Sequence, residues 1–283
     1  MTASIAPAGA PLLGEVIAWA CPGVAVRHAD LVAALDHAGL DPGVARELAP
    51  RHAFTRACRR LGEKRIIRPV AETQRELRFQ FTAESRAGDR FEYTLETLLT
   101  LDKQTGLVTC DLPGLGALAQ DELDRCVAAR TGADVTRVVQ RLFDRHADLF
   151  PVRPSGGVYF VPARHSVFTD RVQLFLGRVN GRLLRFPVPA GTPEGDRSVR
   201  ESVAAGLAAV VDEHRRAVAE FGADTRPDTL RRSAERIRCA QFKVEAYAEY
   251  LAGERDGLDR ALAAARTELR AKVESLAAEP AGV

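Results

Sequence analysis

The order of apolar and polar positions predicts helices at the start of the chain and a sheet after Gly62. Before Gly62, apolar positions recur at helical spacing in three short segments that glycine and proline bring to an end. After it the period changes to two, which is typical of strands with one buried face. We therefore expect helices at about residues 12–20, 28–38 and 52–61, followed by antiparallel strands at about residues 77–81, 91–95 and 107–110.

A second region of helices and a hairpin follows the break at residues 111–116. Two helical patterns, at residues 119–129 and 135–146, are separated by a Thr-Gly-Ala-Asp turn. Two apolar runs around the Pro-Ser-Gly-Gly sequence at residues 154–157 then predict a β-hairpin. Helix, tight turn, helix and hairpin is the order found in a helix-turn-helix with a wing.

The C-terminal part has an almost wholly helical pattern. After a helix at about residues 167–178 and an edge strand at 183–188, this pattern runs from residue 198 to residue 278 with one break at 221–228. Apolar positions in the second half are spaced by three, four and seven residues. They predict an antiparallel pair of long, coiled-coil-like helices, whose apolar seam needs either the neighbouring helix or a second chain as its partner.

Together these patterns predict an α+β fold of winged-helix-like modules with small antiparallel sheets, followed by a long C-terminal helical hairpin or coiled coil. The length of 283 residues fits two domains with a helical extension. We expect a helical and β winged-helix-like domain at residues 1–112, a central winged-helix-like domain with the Pro-Ser-Gly-Gly hairpin at 117–190, and the helical hairpin at 198–278.

Composition excludes several classes of protein. Hydrophobic residues make up 46% and charged residues 28%, as in globular proteins, and a net charge of +2 excludes a histone-like polycation. The five cysteines are dispersed without a CxxC pair, so we expect no disulfide framework and a reducing cytoplasmic location. Because no apolar stretch approaches the roughly 20 residues that span a bilayer, we expect no membrane partner.

Positive charge is concentrated in one segment of the chain. Between Arg51 and Arg78 there are nine basic and three acidic residues. A helix end followed by a basic loop can lie across a phosphate backbone. The alternative is a solvated face in an arginine-rich protein. The residues expected to contact phosphate here are Arg56, Arg59, Arg60, Lys64, Arg65 and Arg68.

The central helix and hairpin carry a second set of polar residues. Arg137, Gln140 and Arg141 lie near a predicted helix N-terminus, where arginine and glutamine suit contacts in a DNA groove. Arg153 lies at the predicted hairpin, where a wing would touch the backbone. A winged helix that contacts protein instead is an equally open alternative.

Catalytic residues, metal ligands and cofactor sites are not predicted. The six histidines are dispersed and form neither an HxxxH nor an HExxH pattern. An enzyme with a dispersed site is a third alternative, which a cleft joining His146, His165 and acidic residues would favour.

Residues 152–162, with the sequence VRPSGGVYFVP, resemble a motif in a family of uncharacterised bacterial and phage proteins with a domain of unknown function. The helix, linker and helical tail that follow are similar in order, so the resemblance covers about residues 120–280. The family has no established activity, so the resemblance implies no site residues. It favours a mobile-element or defence-related setting.

The leading hypothesis is a cytoplasmic, non-enzymatic DNA-binding or DNA-associated protein. It would contact phosphate of duplex DNA through an arginine-rich face and self-associate into a homo-oligomer, or bind a protein partner, through its C-terminal helices. The alternative is a structural or scaffold protein that uses winged-helix and coiled-coil surfaces for protein assembly. DNA binding predicts a salt-dependent complex, whereas a scaffold predicts a discrete oligomer free of nucleic acid.

Overall fold

The structure is a computed structural model that describes residues 11–62, 65–87, 89–153, 155–222, 225–251, 253 and 255–278. Over these residues the chain forms a mixed set of strands and α-helices. The strands are β1 (Leu12–Ala20), β2 (Ala25–Arg27), β3 (Arg65–Glu72), β4 (Glu76–Ala87), β5 (Arg90–Asp102), β6 (Val108–Cys110), β7 (Ala129–Thr131), β8 (Phe150–Pro151), β9 (Tyr159–Pro162) and β10 (Arg182–Pro189). The helices are α1 (His28–His37), α2 (Pro50–Leu61), α3 (Pro113–Ala128), α4 (Gly132–His146), α5 (Ser166–Arg178), α6 (Pro193–Ala219), α7 (Pro227–Ala246) and α8 (Arg255–Ala278).

The chain divides into two compact units, each defined by the contacts among its own residues. Unit 1 takes its residues from 1–19, 143–170 and 183–283, and unit 2 from 20–142 and 171–182. The division into three domains along the sequence stays a prediction. Among the described helices, none is both long and apolar enough to cross a membrane.

Unit 2 contains a four-stranded antiparallel sheet in which β3, β4, β5 and β6 lie in sequence order. The predicted three-strand meander is present, with β3 added at its edge. On one face, Leu77 and Phe79 of β4 oppose Leu101 and Leu99 of β5. Helices α2 and α3 supply the rest of this core. Its buried residues are Ala53, Phe54, Ala57, Cys58, Leu77, Phe79, Phe81, Leu99, Leu101, Ala119, Leu123 and Cys126.

The expected helix-turn-helix is replaced by a different connection. Between α3 and α4 the chain forms β7, which pairs antiparallel with β2 and places Arg130 opposite Val26. Because this segment is a paired strand, the two helices are not joined by the tight turn that a helix-turn-helix requires. The central winged-helix prediction is wrong in this respect.

The sheet of unit 1 has the strand order β10, β1, β9, β8. The helix predicted at residues 12–20 is wrong, because this segment is β1, which pairs antiparallel with β9 from Gly14 opposite Pro162 to Ile17 opposite Tyr159. A Cβ at Gly14 would lie 2.2 Å from the carbonyl oxygen of Val161, so the close strand approach requires glycine. The predicted hairpin forms as β8 and β9, although Pro154 lies outside the described residues. Since β9 also pairs with β1, this hairpin is part of a larger sheet and not a wing.

The C-terminal region of unit 1 contains three helices that pack on one another. Helices α6, α7 and α8 enclose a core that includes Val203, Leu207, Ile237, Val244 and Leu262. The predicted hairpin of two long helices is wrong, because the chain leaves the helix again between Ala246 and Arg255, where Gly253 has a φ of 89°. Within the described ranges no long hairpin or coiled coil forms. The predicted fold class is therefore overturned.

Candidate nucleic-acid interface

A groove of about 920 Å³ lies within unit 2, between α2, α4, β7 and the segment before α2. Most of its ionisable lining is basic. We call this site the arginine groove, and its basic residues are Arg46, His52, Arg56, Arg59, Arg60, Arg130, Arg137 and Arg141. Two acidic residues, Glu47 and Asp134, also line it. Seven arginines against two carboxylates leave a strong excess of positive charge in one concave site.

The groove brings together five of the ten residues expected to contact phosphate. Arg56, Arg59 and Arg60 come from α2, and Arg137 and Arg141 come from α4. The sequence predicts that these two groups belong to different domains. Tertiary packing therefore places both groups in one site.

The other five predicted residues do not line the groove. Arg65 of β3 donates to Glu96 at 2.8 Å, and Arg68 is exposed on the same strand. Gln140 is exposed on α4. Arg153 belongs to unit 1, where its Nε donates to the carbonyl oxygen of Gly156. Lys64 lies outside the described residues.

Asp134 fixes the orientation of one groove arginine. Its two carboxylate oxygens accept bidentate hydrogen bonds from Arg56, each 2.8 Å long. The carboxylate also accepts from the backbone N–H and the hydroxyl of Thr131 at 2.8 and 2.9 Å. Burial acts to raise the pKa of Asp134, but these hydrogen bonds outweigh it and lower the pKa to about 2. At neutral pH the guanidinium of Arg56 is therefore held in a fixed plane.

The remaining groove arginines differ in how they are held. Arg60 forms an ion pair with Glu122 of α3 at 2.5 Å, and Arg141 donates to the carbonyl oxygen of Val44 at 3.0 Å. The side chains of Arg59 and Arg46 make no hydrogen bond or ion pair with any described residue. The groove thus combines fixed guanidinium groups with others that are available to a ligand.

Arg130 is a groove residue that the sequence patterns did not identify. It is only 4% exposed, and its Nη1 donates to the carbonyl oxygens of Val127 and Ala129 at 2.9 and 3.3 Å. Its Nε is buried without a hydrogen-bond partner in the part of the chain that the structure describes. Arg46 and His52 were also missed. No local pattern marks these residues, because the groove exists only after α2, α4 and β7 have packed.

Unit 1 contains a separate polar cluster around Asp148. This buried carboxylate accepts hydrogen bonds from the hydroxyl of Tyr247 at 2.7 Å and from Arg164 at 2.6 Å, and it lies 2.7 Å from the Nζ of Lys243. The Nε2 of His165 lies 3.2 Å away. Burial acts to raise the pKa of Asp148, but these partners hold it well below its usual range. We assign the cluster a stabilising role, because its carboxylate is already satisfied by four partners.

In a comparison with models of protein families, residues 12–282 match a family described as a family of unknown function (DUF6744). The expected resemblance to a family without an established activity is confirmed. No curated protein and no solved structure matches the chain. The family description assigns no role to any residue, so the functional argument depends on the groove itself.

Proposed function

The chain belongs to DUF6744, a family of unknown function, and from its own residues we propose that it is a non-enzymatic DNA-binding protein. The observation that carries the proposal is the arginine groove, in which two sequence-distant groups of predicted phosphate-contacting residues line one site. A cytoplasmic location, expected from the cysteine pattern, is part of the proposal. The mobile-element or defence setting stays a prediction.

The groove supports binding that depends on phosphate and not on base sequence. Arginine guanidinium groups make planar, bidentate contacts with phosphate oxygens. The side chain of Arg59 has no partner among the described residues, and Arg137 is exposed with only a 3.4 Å contact to Asp134, so both side chains can turn towards a phosphate backbone. Asparagine and glutamine, which pair with adenine edges, do not line the groove. We therefore expect phosphate contacts, which are the same for every base sequence, to supply most of the affinity for duplex DNA.

Binding of labelled duplex DNA, followed by fluorescence anisotropy between about 50 and 300 mM salt, tests this proposal. The logarithm of the binding constant is expected to fall linearly with the logarithm of the salt concentration, because each neutralised phosphate releases counterions. The double substitution Arg59→Gln and Arg137→Gln is expected to weaken binding at least about tenfold and to reduce the slope by about two.

Arg90→Gln is the matched control. Arg90 is an exposed arginine of unit 2 at the start of β5, outside the groove lining. Its loss changes the net charge by one but is expected to leave affinity within about twofold. Absence of DNA binding at about 50 mM salt would contradict the proposal, and so would an Arg90→Gln effect that equals that of the groove variant.

Assembly as a homo-oligomer is a second candidate function, favoured by one exposed side chain in the C-terminal helices. The core between α6, α7 and α8 fills the apolar seam within the chain, whereas Phe242 of α7 is 70% exposed. A second copy of the chain would have to contact this outer surface. Because single phenylalanines are common on protein surfaces, this candidate function is tested by measuring the oligomeric state.

If Phe242 mediates self-association, Phe242→Ser is expected to convert the oligomer to a monomer in light scattering coupled to size-exclusion chromatography. The control Phe91→Ser alters a similarly exposed phenylalanine of unit 2 and is expected to leave the mass unchanged. A wild-type protein that is monomeric at every concentration tested would rule out this candidate.

A further inference from the structure

One arginine that lines the arginine groove, Arg130, has no anionic partner among the described residues. Arg130 is 96% buried and lines the groove, while its Nε has no acceptor among the described residues. Among the described residues only Nη1 has hydrogen-bond partners, which are the carbonyl oxygens of Val127 at the end of α3 and of Ala129 in β7. Arginine is rarely buried to this extent without a paired acid, since a buried charge and an unpaired buried N–H are both unfavourable. The arrangement is therefore incomplete without an anion.

Neither carboxylate that lines the groove pairs with Arg130. Asp134 is fully engaged by Arg56 and Thr131. Glu47 makes no ion pair with Arg130. The Nδ1 of His28 is likewise buried and has no hydrogen-bond partner in the described part of the chain, and burial together with the charge of Arg130 lowers the pKa of this histidine. At neutral pH His28 therefore adds a neutral ring next to the guanidinium and no compensating negative charge.

The burial of Arg130 restricts which anions can reach it. An intact duplex presents its phosphates on a convex surface, so it can contact exposed groups such as Arg59 and Arg137. It cannot insert a backbone phosphate to a guanidinium that is almost fully buried. A strand end is narrower and can enter the groove. A terminal phosphate also carries between one and two negative charges at pH 7 and three acceptor oxygens, more than an internal phosphodiester offers.

Resting on the proposed function, we propose that the arginine groove binds the phosphorylated end of a nucleic-acid strand, with the terminal phosphate accepting hydrogen bonds from Arg130. Arg59 and Arg137 then contact the phosphates that follow along the strand. The protein thus recognises the ends of nucleic-acid strands. Its contacts with the side of a duplex involve only the exposed arginines.

Short labelled single strands of one sequence test this inference, with a 5′-phosphate, with a 3′-phosphate, or with hydroxyl groups at both ends. Wild-type protein is expected to bind one of the phosphorylated strands at least about tenfold more tightly than the hydroxyl strand. The two phosphorylated probes distinguish which end is bound. Equal affinity for all three strands would overturn the inference and leave the proposed function standing. Failure to bind any strand or duplex would overturn both.

The substitution Arg130→Lys keeps the charge but removes the planar pair of donors. It is expected to abolish the preference for the phosphorylated strand while leaving salt-dependent binding of the hydroxyl strand in place. Arg59→Gln, in contrast, is expected to weaken all three probes by a similar factor. A preference that survives in Arg130→Lys would overturn the role of Arg130.

Hydrogen exchange on wild-type protein provides a measurement that does not depend on the folding of a variant. The phosphorylated strand is expected to slow exchange in the peptide covering residues 127–134, and the hydroxyl strand at equal saturation is expected to do so less. Equal protection by the two strands would count against a phosphate seated on Arg130.

Discussion

Replacing Asp148 with alanine is expected to lower the free energy of unfolding of unit 1 by about 3 kcal/mol. The carboxylate is buried and accepts a hydrogen bond from the Tyr247 hydroxyl, which is itself buried. Without Asp148 that hydroxyl loses its acceptor, and Arg164 and Lys243 lose the charge that balances them. Urea unfolding monitored by fluorescence of Trp19, the only tryptophan, reports on unit 1 because Trp19 stacks on Tyr159 there.

The effect of the Asp148 substitution is expected to depend on pH. The partners of the carboxylate lower its pKa in the folded state below the value of about 3.9 that aspartate has when unfolded. A depressed folded pKa gives stability that is present above the unfolded pKa and lost as the pH falls through the folded pKa. The difference between wild type and Asp148→Ala should therefore be constant at neutral pH and shrink as the pH falls below about 4.

Asp170→Ala is the control for this prediction. Asp170 is exposed in unit 1 and forms an ion pair with Arg185, which also pairs with Glu15. Removing an exposed ion pair is expected to cost less than about 1 kcal/mol. If both variants lose the same stability, or if the Asp148 effect persists unchanged to pH 2, the cluster does not stabilise unit 1 in the way described.

Phe54→Ala is expected to lower the stability of unit 2 by about 3–5 kcal/mol. Phe54 of α2 is fully buried and meets Phe79 of β4 edge to face, with 5.6 Å between the ring centroids. The substitution leaves a cavity between the helix and the sheet. Because α2 also carries Arg56 and Arg59, the variant is expected to bind DNA more weakly as well. Hydrogen exchange in peptides of β4 and β5 measures the loss in unit 2 separately.

The matched control removes the same side chain from an exposed position of the same sheet. Phe91 of β5 is 57% exposed, so Phe91→Ala is expected to change the stability of unit 2 by less than about 1 kcal/mol. Equal acceleration of exchange in the two variants would show that the aromatic contact between α2 and β4 does not support the sheet.

The parts of the fold that the sequence predicts are those with local pairing. Strands β4, β5 and β6 follow one another closely, and alternation in one continuous segment marks their buried face. The sequence predicts a helix at β1 because a mostly apolar segment of nine residues fits both structures. Its partner β9 begins at Tyr159, so the pairing that makes it a strand is absent from the local sequence. The helical pattern predicts no break between α7 and α8, although Gly253, with its positive φ, lies there.

In the candidate site, too, the sequence predicts the features that depend on local spacing and not those that depend on tertiary packing. The basic face of α2, with Arg56 and Arg59, follows from helical spacing alone. The partners of its residues do not, because Asp134 and Glu122 come from α4 and α3. No local sequence pattern identifies Arg130, since its burial results from the pairing of β7 with β2 and from packing around the groove. The sequence therefore predicts five of the eight basic residues that line the groove, and tertiary packing adds Arg46, His52 and Arg130.

The strand order of unit 1 has a consequence for synthesis on the ribosome. Strand β1 is translated before its two neighbours in the sheet, β9 and β10, which emerge only after residues 159–162 and 182–189 have been translated. The meander of β3 to β6 is fully translated long before that. Because its contacts are short-range, it is expected to fold while β1 is still unpaired. An apolar strand with open edges is prone to pairing with other chains. We therefore expect aggregation to be strongest for a nascent chain whose synthesis has stopped before residue 159.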